Sequence, residues 1–239
     1  FISGSGNKKY FITKNLDKIS KSLKLEQKKF GIFLCGGDTV FSNKLSFTIT
    51  TIGFSDKIIY RNKAKLNDDI YVTGNLGDSF AGLKILQKKI KVNKKFKKYF
   101  EDKYYKPNLK LKLTKKLFSI ANTSIDISDG LIADLEKLIN NQKLSYKVNL
   151  DDIPISKNLK KLIEIKRLKK KSFISQGDDY EILFTASPQK FRIISAISKS
   201  LSIKISKIGK ISNHSQKSLI IDKKHEKIEI KDKGYYHRF

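Results

Sequence analysis

Methionine and tryptophan are absent from this 239-residue chain, and cysteine, proline and histidine are rare. A single thiol, Cys35, can form neither an intrachain disulfide nor a multi-cysteine metal site, so the fold does not depend on an oxidising compartment. Set in the apolar run Phe33-Leu34-Cys35, it reads as a small core residue of a strand rather than a nucleophile. His214, His225 and His237 show no metal-ligand spacing, which argues against a zinc site and against histidine-based catalysis. No stretch approaches the roughly 18 consecutive apolar residues of a membrane helix, and no basic, apolar and small-residue signal opens the chain. The cytoplasm is the expected compartment. Because the chain begins Phe1-Ile2-Ser3 and contains no methionine, a fragment with a missing N-terminal segment is expected.

What is present is 39% hydrophobic and 31% charged, enough to bury the core of one large domain or two small ones. Fifty-one basic residues against 23 acidic ones give a formal charge of +28, which invites a nucleic-acid partner. Bidentate reading of phosphates and guanines favours arginine, however, and only Arg61, Arg167, Arg192 and Arg238 are arginine. The lysines are spread along the chain, as on a solvated surface that keeps a protein soluble.

Short β-rich runs alternate with helical patterns, which predicts an α+β arrangement of mixed strands and packed helices. Residues 45–52 alternate apolar and hydroxyl side chains, the mark of a half-buried strand. Ile70-Tyr71-Val72-Thr73 reads as a strand and Gly74-Asn75-Leu76-Gly77 as a turn. Asp78 or Ser79 then caps a helix carrying Phe80, Leu83 and Leu86. Residues 88–106 are a lysine-rich helix or loop, followed by a helical pattern through Leu117. Ser124-Ile125-Asp126-Ile127 is a strand, and Ser128-Asp129-Gly130 turns into a helix with Leu131, Leu135, Leu138 and Ile139 on one face. Strands are expected at 146–150, 181–185, 203–208 and 219–221. Pro188 opens a helix with Phe191, Ile194 and Ile197 inward. A composition shift at 63–67 marks the expected domain break.

Acids are scarce, so their gathering beside glycine carries weight: Gly36-Gly37-Asp38-Thr39, Gly77-Asp78-Ser79, Asp126-Ile127-Ser128-Asp129-Gly130 and Gly177-Asp178-Asp179-Tyr180-Glu181. Carboxylate oxygens suit hard cations such as Mg²⁺, and glycine lets a phosphate approach backbone amides. Any one such cluster is as readily an ordinary turn or helix cap; four together point to a site. A Walker-type phosphate loop, a G-x-S-x-G elbow and a dinucleotide glycine fingerprint are all missing.

In order and spacing these blocks, with Tyr71-Val72-Thr73-Gly74, Ala81-Gly82-Leu83, Asp134-Leu135 and Leu183-Phe184-Thr185, resemble the thiamine-monophosphate kinase family. The resemblance runs from about residue 33 to Gly234-Tyr235-Tyr236-His237. The Asp126 to Leu131 and Asp178 to Glu181 blocks are its most specific parts. One departure is Gln176, where the family usually has a second glycine before the acidic pair. The resemblance implies an α/β (α+β), two-domain aminoimidazole ribonucleotide synthetase-like fold, with 1–66 the remnant of an N-terminal ATP- and Mg-binding domain and 67–239 a C-terminal domain. It implies ATP-dependent, Mg-assisted phosphoryl transfer to thiamine monophosphate. Asp38, Asp126 and Asp129 would hold several Mg²⁺ ions; Gly37, Asp38, Arg61 and Ser128 would contact ATP; Asp178 and Tyr235 would face the acceptor. A homodimer formed through the N-terminal sheet is implied, with further aspartates upstream, so the chain alone is expected to be inactive. The alternatives are another ATP-using enzyme of the same superfamily, akin to selenophosphate synthetase or a hydrogenase-maturation protein, and a lysine-rich nucleic-acid-binding module that would bind in a salt-sensitive way.

Overall fold

The computed structural model describes residues 2–7, 9 and 13–235, so Tyr236 and His237 of the C-terminal run lie outside the described residues. The chain divides into two compact units, 1–56 and 57–239. This division falls ahead of the break expected at 66/67, because residues 57–66 are tied to the second unit. The Tyr60 carbonyl accepts from Thr123 Oγ1, the Asn62 amide donates to the Leu138 carbonyl, and Ala64 joins the core.

The first unit holds β1 (Ile2–Gly6), α1 (Thr13–Phe30), β2 (Gly37–Phe41) and β3 (Ser46–Ile49). β1 is central, parallel to β2 and antiparallel to β3. The parallel pair requires a crossover, and α1 supplies it. Phe33-Leu34-Cys35 precedes the sheet instead of forming a strand, because the β1–β2 register begins at Ile2 with Gly37. Cys35 is accordingly exposed, which corrects its placement in a core. β3 forms as expected but is exposed at all four positions rather than half-buried.

The second unit is built on a six-stranded sheet of order β5-β7-β4-β8-β6-β9, antiparallel except for β6 with β9. Its strands are β4 (Asp69–Thr73), β5 (Thr123–Asp126), β6 (Leu144–Asn149), β7 (Ile182–Ala186), β8 (Ile205–Asn213) and β9 (Leu219–Ile221). The helices are α2 (Asp78–Leu86), α3 (Lys94–Tyr105), α4 (Leu111–Ile120), α5 (Leu131–Leu138), α6 (Lys157–Lys166), α7 (Lys171–Ile174) and α8 (Phe191–Leu201). Strand alternation divides the core. Ile70, Val72 and Leu183 pack with α5, whereas Tyr71 and Phe184 stack at 5.2 Å in the cluster that takes in α4 and α8. A third cluster joins α2, α3, α6 and α7 around Phe100.

One helix face differs from expectation. In α8, Ile194 and Ile197 are buried but Phe191 is 55% exposed, because a 3-10 turn at Pro188–Lys190 starts the helix proper at Phe191. In α2 the buried positions are Ala81, Gly82 and Ile85, with Phe80, Leu83 and Leu86 only half-buried. A Cβ on Gly82 would lie 2.2 Å from the Phe100 carbonyl oxygen, so the glycine lets α3 close on that face. Among the described residues no helix is long and apolar enough to cross a membrane.

Candidate active site

β5 ends at Asp126 and α5 begins at Leu131, so residues 127–130 turn the chain between them. One carboxylate shapes the turn. Asp134 Oδ2 accepts the amides of Ser128, Asp129 and Gly130 at 2.9, 2.9 and 3.1 Å, and Asp134 is fully buried. Its other oxygen accepts from Lys137 Nζ at 2.9 Å, and the same ammonium pairs with Asp129. Gly130 stands at φ 129°, and a Cβ there would meet the Ser175 carbonyl oxygen at 2.2 Å. No other residue type fits.

The outward carbonyls of this turn hold the second loop. The amides of Asp178, Tyr180 and Tyr235 donate to the carbonyls of Ser128, Ile127 and Asp129 at 2.9, 2.8 and 2.8 Å, and the Ile127 amide returns a bond to Glu181 O. Asp178 and Tyr180 both adopt positive φ, 66° and 50°. Such conformations persist where surrounding contacts over-determine them. Gly177 has no room for a side chain, since its Cβ would fall 1.8 Å from Ser128 O.

The neighbouring acids of this loop have opposite environments. Burial raises the Asp178 carboxyl above the ordinary range, and the nearby Asp129 charge adds to this. The Tyr180 phenol is likewise raised, by burial and then by the neighbouring Asp178, Asp126, Tyr104 and Asp129. Asp179 points inward and caps α2, accepting the Gly77 amide at 2.7 Å and the Ser79 amide at 3.4 Å. Burial drives its carboxyl well upward; the two amides oppose this, and Asp78 and Glu181 reinforce it. Glu181 is buried against Thr73 Oγ1 at 2.6 Å and Lys110 Nζ at 2.9 Å.

Asp126, Ser128, Asp129, Asp178 and Tyr235 therefore share one joint of two loops and the C-terminal segment. Gly37 and Asp38 belong to the first unit, on the exposed strand β2. There they border a cleft of about 450 Å³ between the sheet and α1, and Asp38 Oδ1 accepts the Thr39 amide at 2.7 Å. Arg61 is exposed in the second unit. Its neighbours Tyr60 and Asn62 are anchored at Thr123 and Leu138, the ends of β5 and α5 remote from the 127–130 turn. Asp134, Lys137, Thr73 and Lys110 have roles that sequence reasoning did not assign. An acid in the first turn of a helix directly after Ser-Asp-Gly was the available signal for Asp134.

Among the described residues no three carboxylate, histidine or cysteine groups converge in a metal-holding cluster. The donors that the turn does offer, Asp126 and Asp129, are carboxylates suited to a hard cation, and Asp126 is exposed at a strand end. Mg²⁺ is commonly held by one or two carboxylates together with substrate phosphates, and Asp126 and Asp129 fit that mode.

No protein-family model matches the chain. The fold is shared by the solved structure of AaThiL complexed with AMPPCP and TMP, at TM-score 0.78 and 22% identity over 99% of this chain and 72% of that one. It is shared too by HypE, a hydrogenase maturation protein of E. coli, at TM-score 0.73 and 15% identity over 97% and 72%. These show the fold, an aminoimidazole ribonucleotide synthetase-like mixed α/β fold. Sequence then separates its members. Over 225 residues the chain is 38% identical to the thiamine-monophosphate kinase of Buchnera aphidicola subsp. Schizaphis graminum, spanning 93% of this chain and 69% of that enzyme. The chain belongs to the thiamine-monophosphate kinase family.

Proposed function

We propose that this protein transfers the γ-phosphoryl group of ATP to the phosphate of thiamine monophosphate, giving thiamine diphosphate and ADP. The observation that carries the proposal is the joint at residues 127–130, whose amides converge on Asp134 while its carbonyls hold Asp178 and Tyr235. That joint sets candidate donor-side residues, Asp126, Ser128 and Asp129, against candidate acceptor-side residues, Asp178 and Tyr235. A phosphate monoester with a second pKa of about 6 is largely dianionic at neutral pH and is itself the nucleophile, so no general base is needed. The scarcity of histidine fits this chemistry. Mg²⁺ held at Asp126 and Asp129 would supply charge neutralisation for two polyanions, and Asp38 is the first unit's candidate carboxylate for the same ions. Ser128 would contact ATP in the second unit, and Gly37 and Asp38 are the first unit's candidates for the same role; Arg61, anchored beside the ends of β5 and α5 remote from Ser128, is left out of the proposal. Asp178, held partly desolvated, would meet the cationic thiazolium ring, and Tyr235 would flank it.

The proposal includes a homodimer, for which the exposed apolar side chains of the first-unit sheet offer material, and a cytoplasmic setting. It also includes inactivity of the 239 residues alone, whose first-unit sheet leaves Phe41 79% and Ile49 64% exposed. Binding is therefore the decisive readout. Thiamine monophosphate at millimolar concentration is expected to raise the melting temperature of the chain, whereas inorganic phosphate and thiamine do so less. No difference among the three would overturn the assignment. Turnover within about tenfold of the Buchnera relative, a difference of about 1.4 kcal/mol, would overturn the inactivity clause alone.

A further inference from the structure

Asp134 touches neither loop carboxylate proposed for the metal nor the residues proposed for the acceptor, yet both sets depend on the turn it holds. Residues 128–130 each turn an amide inward, and a single carboxylate oxygen takes all three. Those are charge-assisted bonds in a site from which water is excluded, since Asp134 has no exposed surface. With the amides fixed inward, the peptide carbonyls of 127–129 must face the other way. There they receive Tyr180, Asp178 and Tyr235, one carbonyl to each amide. The contacts are too tight to be independent: Gly177 lies with its Cα hydrogens against Ser128 O, and Gly234 would clash with Asp129 O if it carried a side chain.

We propose that Asp134 is a positioning residue which joins the nucleotide side and the acceptor side of the site into one rigid unit. This rests on the phosphoryl-transfer proposal above. Displacing its carboxylate frees three amides at once, rotates the peptides of the turn, and withdraws carbonyl partners from Asp178 and Tyr235. Affinity for both substrates then falls, although the substituted side chain reaches neither. A residue that only stabilised the fold would lower the melting temperature and leave binding constants measured well below it unchanged.

Asp134→Asn, close to isosteric, is the test variant, in the full 239-residue chain at a temperature where far-UV circular dichroism shows it folded. The dissociation constants of Mg-AMPPCP alone and of thiamine monophosphate alone are each expected to rise by about tenfold or more, the scale of lost hydrogen bonds to a charged acceptor. A rise for only one ligand, or for neither, overturns the proposal. Amide hydrogen exchange in the unsubstituted chain gives a second readout that needs neither variant nor ligand. The amides of Ser128, Asp129 and Gly130 are expected to be strongly protected, and exchange at the rate of exposed loop amides overturns it as well. If the unsubstituted chain binds no thiamine monophosphate, the kinase assignment fails, while the protected turn would still be seen.

Discussion

Asp126 and Asp129 differ in what already holds them. Asp126 is exposed at the end of β5 with its carboxylate open to solvent, whereas Asp129 is partly buried and paired with Lys137. A cation at Asp126 displaces only water, but one at Asp129 must share the carboxylate with an ammonium. Asp126→Asn and Asp129→Asn are both expected to leave AMPPCP binding in EDTA unchanged and to weaken it in Mg²⁺, Asp126→Asn by about tenfold and Asp129→Asn by less. Calorimetry with and without Mg²⁺ checks this, and equal affinities in Mg²⁺ for both variants and the parent would remove the metal role. Asp179 gives a pH prediction of opposite character. Its carboxyl is raised well above the ordinary range, chiefly by burial. The stability it contributes is therefore fully present below the ordinary aspartate pKa of about 3.9, and is lost as pH rises through the higher folded-state value. Asparagine cannot titrate. The melting temperature of Asp179→Asn relative to the parent should therefore climb as the pH rises from about 4 through the raised folded-state value. Parallel melting profiles across that range would show that the buried carboxyl titrates as it does in the unfolded chain.

At the scale of elements, what could be read from the sequence and what could not follows from how local each signal is. β4, β5, α5 and β9 are visible because an apolar pattern and a glycine or aspartate boundary coincide within one short window. α6 carries comparable signals, Ser156 capping the Leu159 amide and Leu159 with Leu162 buried, but Lys157, Lys160, Lys161 and Lys166 hide them. α1 is obscured in the same way, and α7 has only four residues, too few to show a period. The site was legible as residues and not as a construction. The Asp-Ile-Ser-Asp-Gly and Gly-Asp-Asp-Tyr blocks announce themselves, whereas their contact joins positions about fifty residues apart and rests on the absence of a single methyl group. Gly177→Ala tests that contact. Its backbone takes an ordinary φ, so the cost is steric: a Cβ 1.8 Å from Ser128 O must push one loop off the other. A destabilisation of about 1–3 kcal/mol is expected, with weaker binding of thiamine monophosphate, while Gly53→Ala, with nothing within 4 Å, should stay within about 0.5 kcal/mol of the parent. Equal melting temperatures for the two variants would mean that the loops are not in contact in solution.

For the whole molecule the contrast is between two units that bury very different amounts of apolar surface. The second unit has three hydrophobic clusters, with Ile70, Val72, Leu131, Leu135, Leu183 and Phe184 fully buried. In the first, the buried positions among the described residues are Gly4 and Gly6, which contribute almost no apolar side-chain area. Val40, Phe41, Phe47 and Ile49 of its strands are between 46% and 79% exposed. Burial at about 25 cal/mol per Å² is the main favourable term available to a small domain, and a three-stranded sheet with one helix is near the lower limit of independent stability. Two transitions are therefore expected on heating, the first belonging to residues 1–56 and carrying little heat-capacity change, the second to residues 57–239. Brief proteolysis at a temperature between them should leave a resistant fragment beginning near Lys57, where backbone bonds to Thr123 and Leu138 start to protect the chain. Thiamine monophosphate, whose proposed partners Asp178 and Tyr235 both lie in the second unit, should move only the second transition. A single cooperative transition that shifts as a whole on adding this ligand would show instead that the two units fold as one, and that the exposed strands of the first are covered in solution.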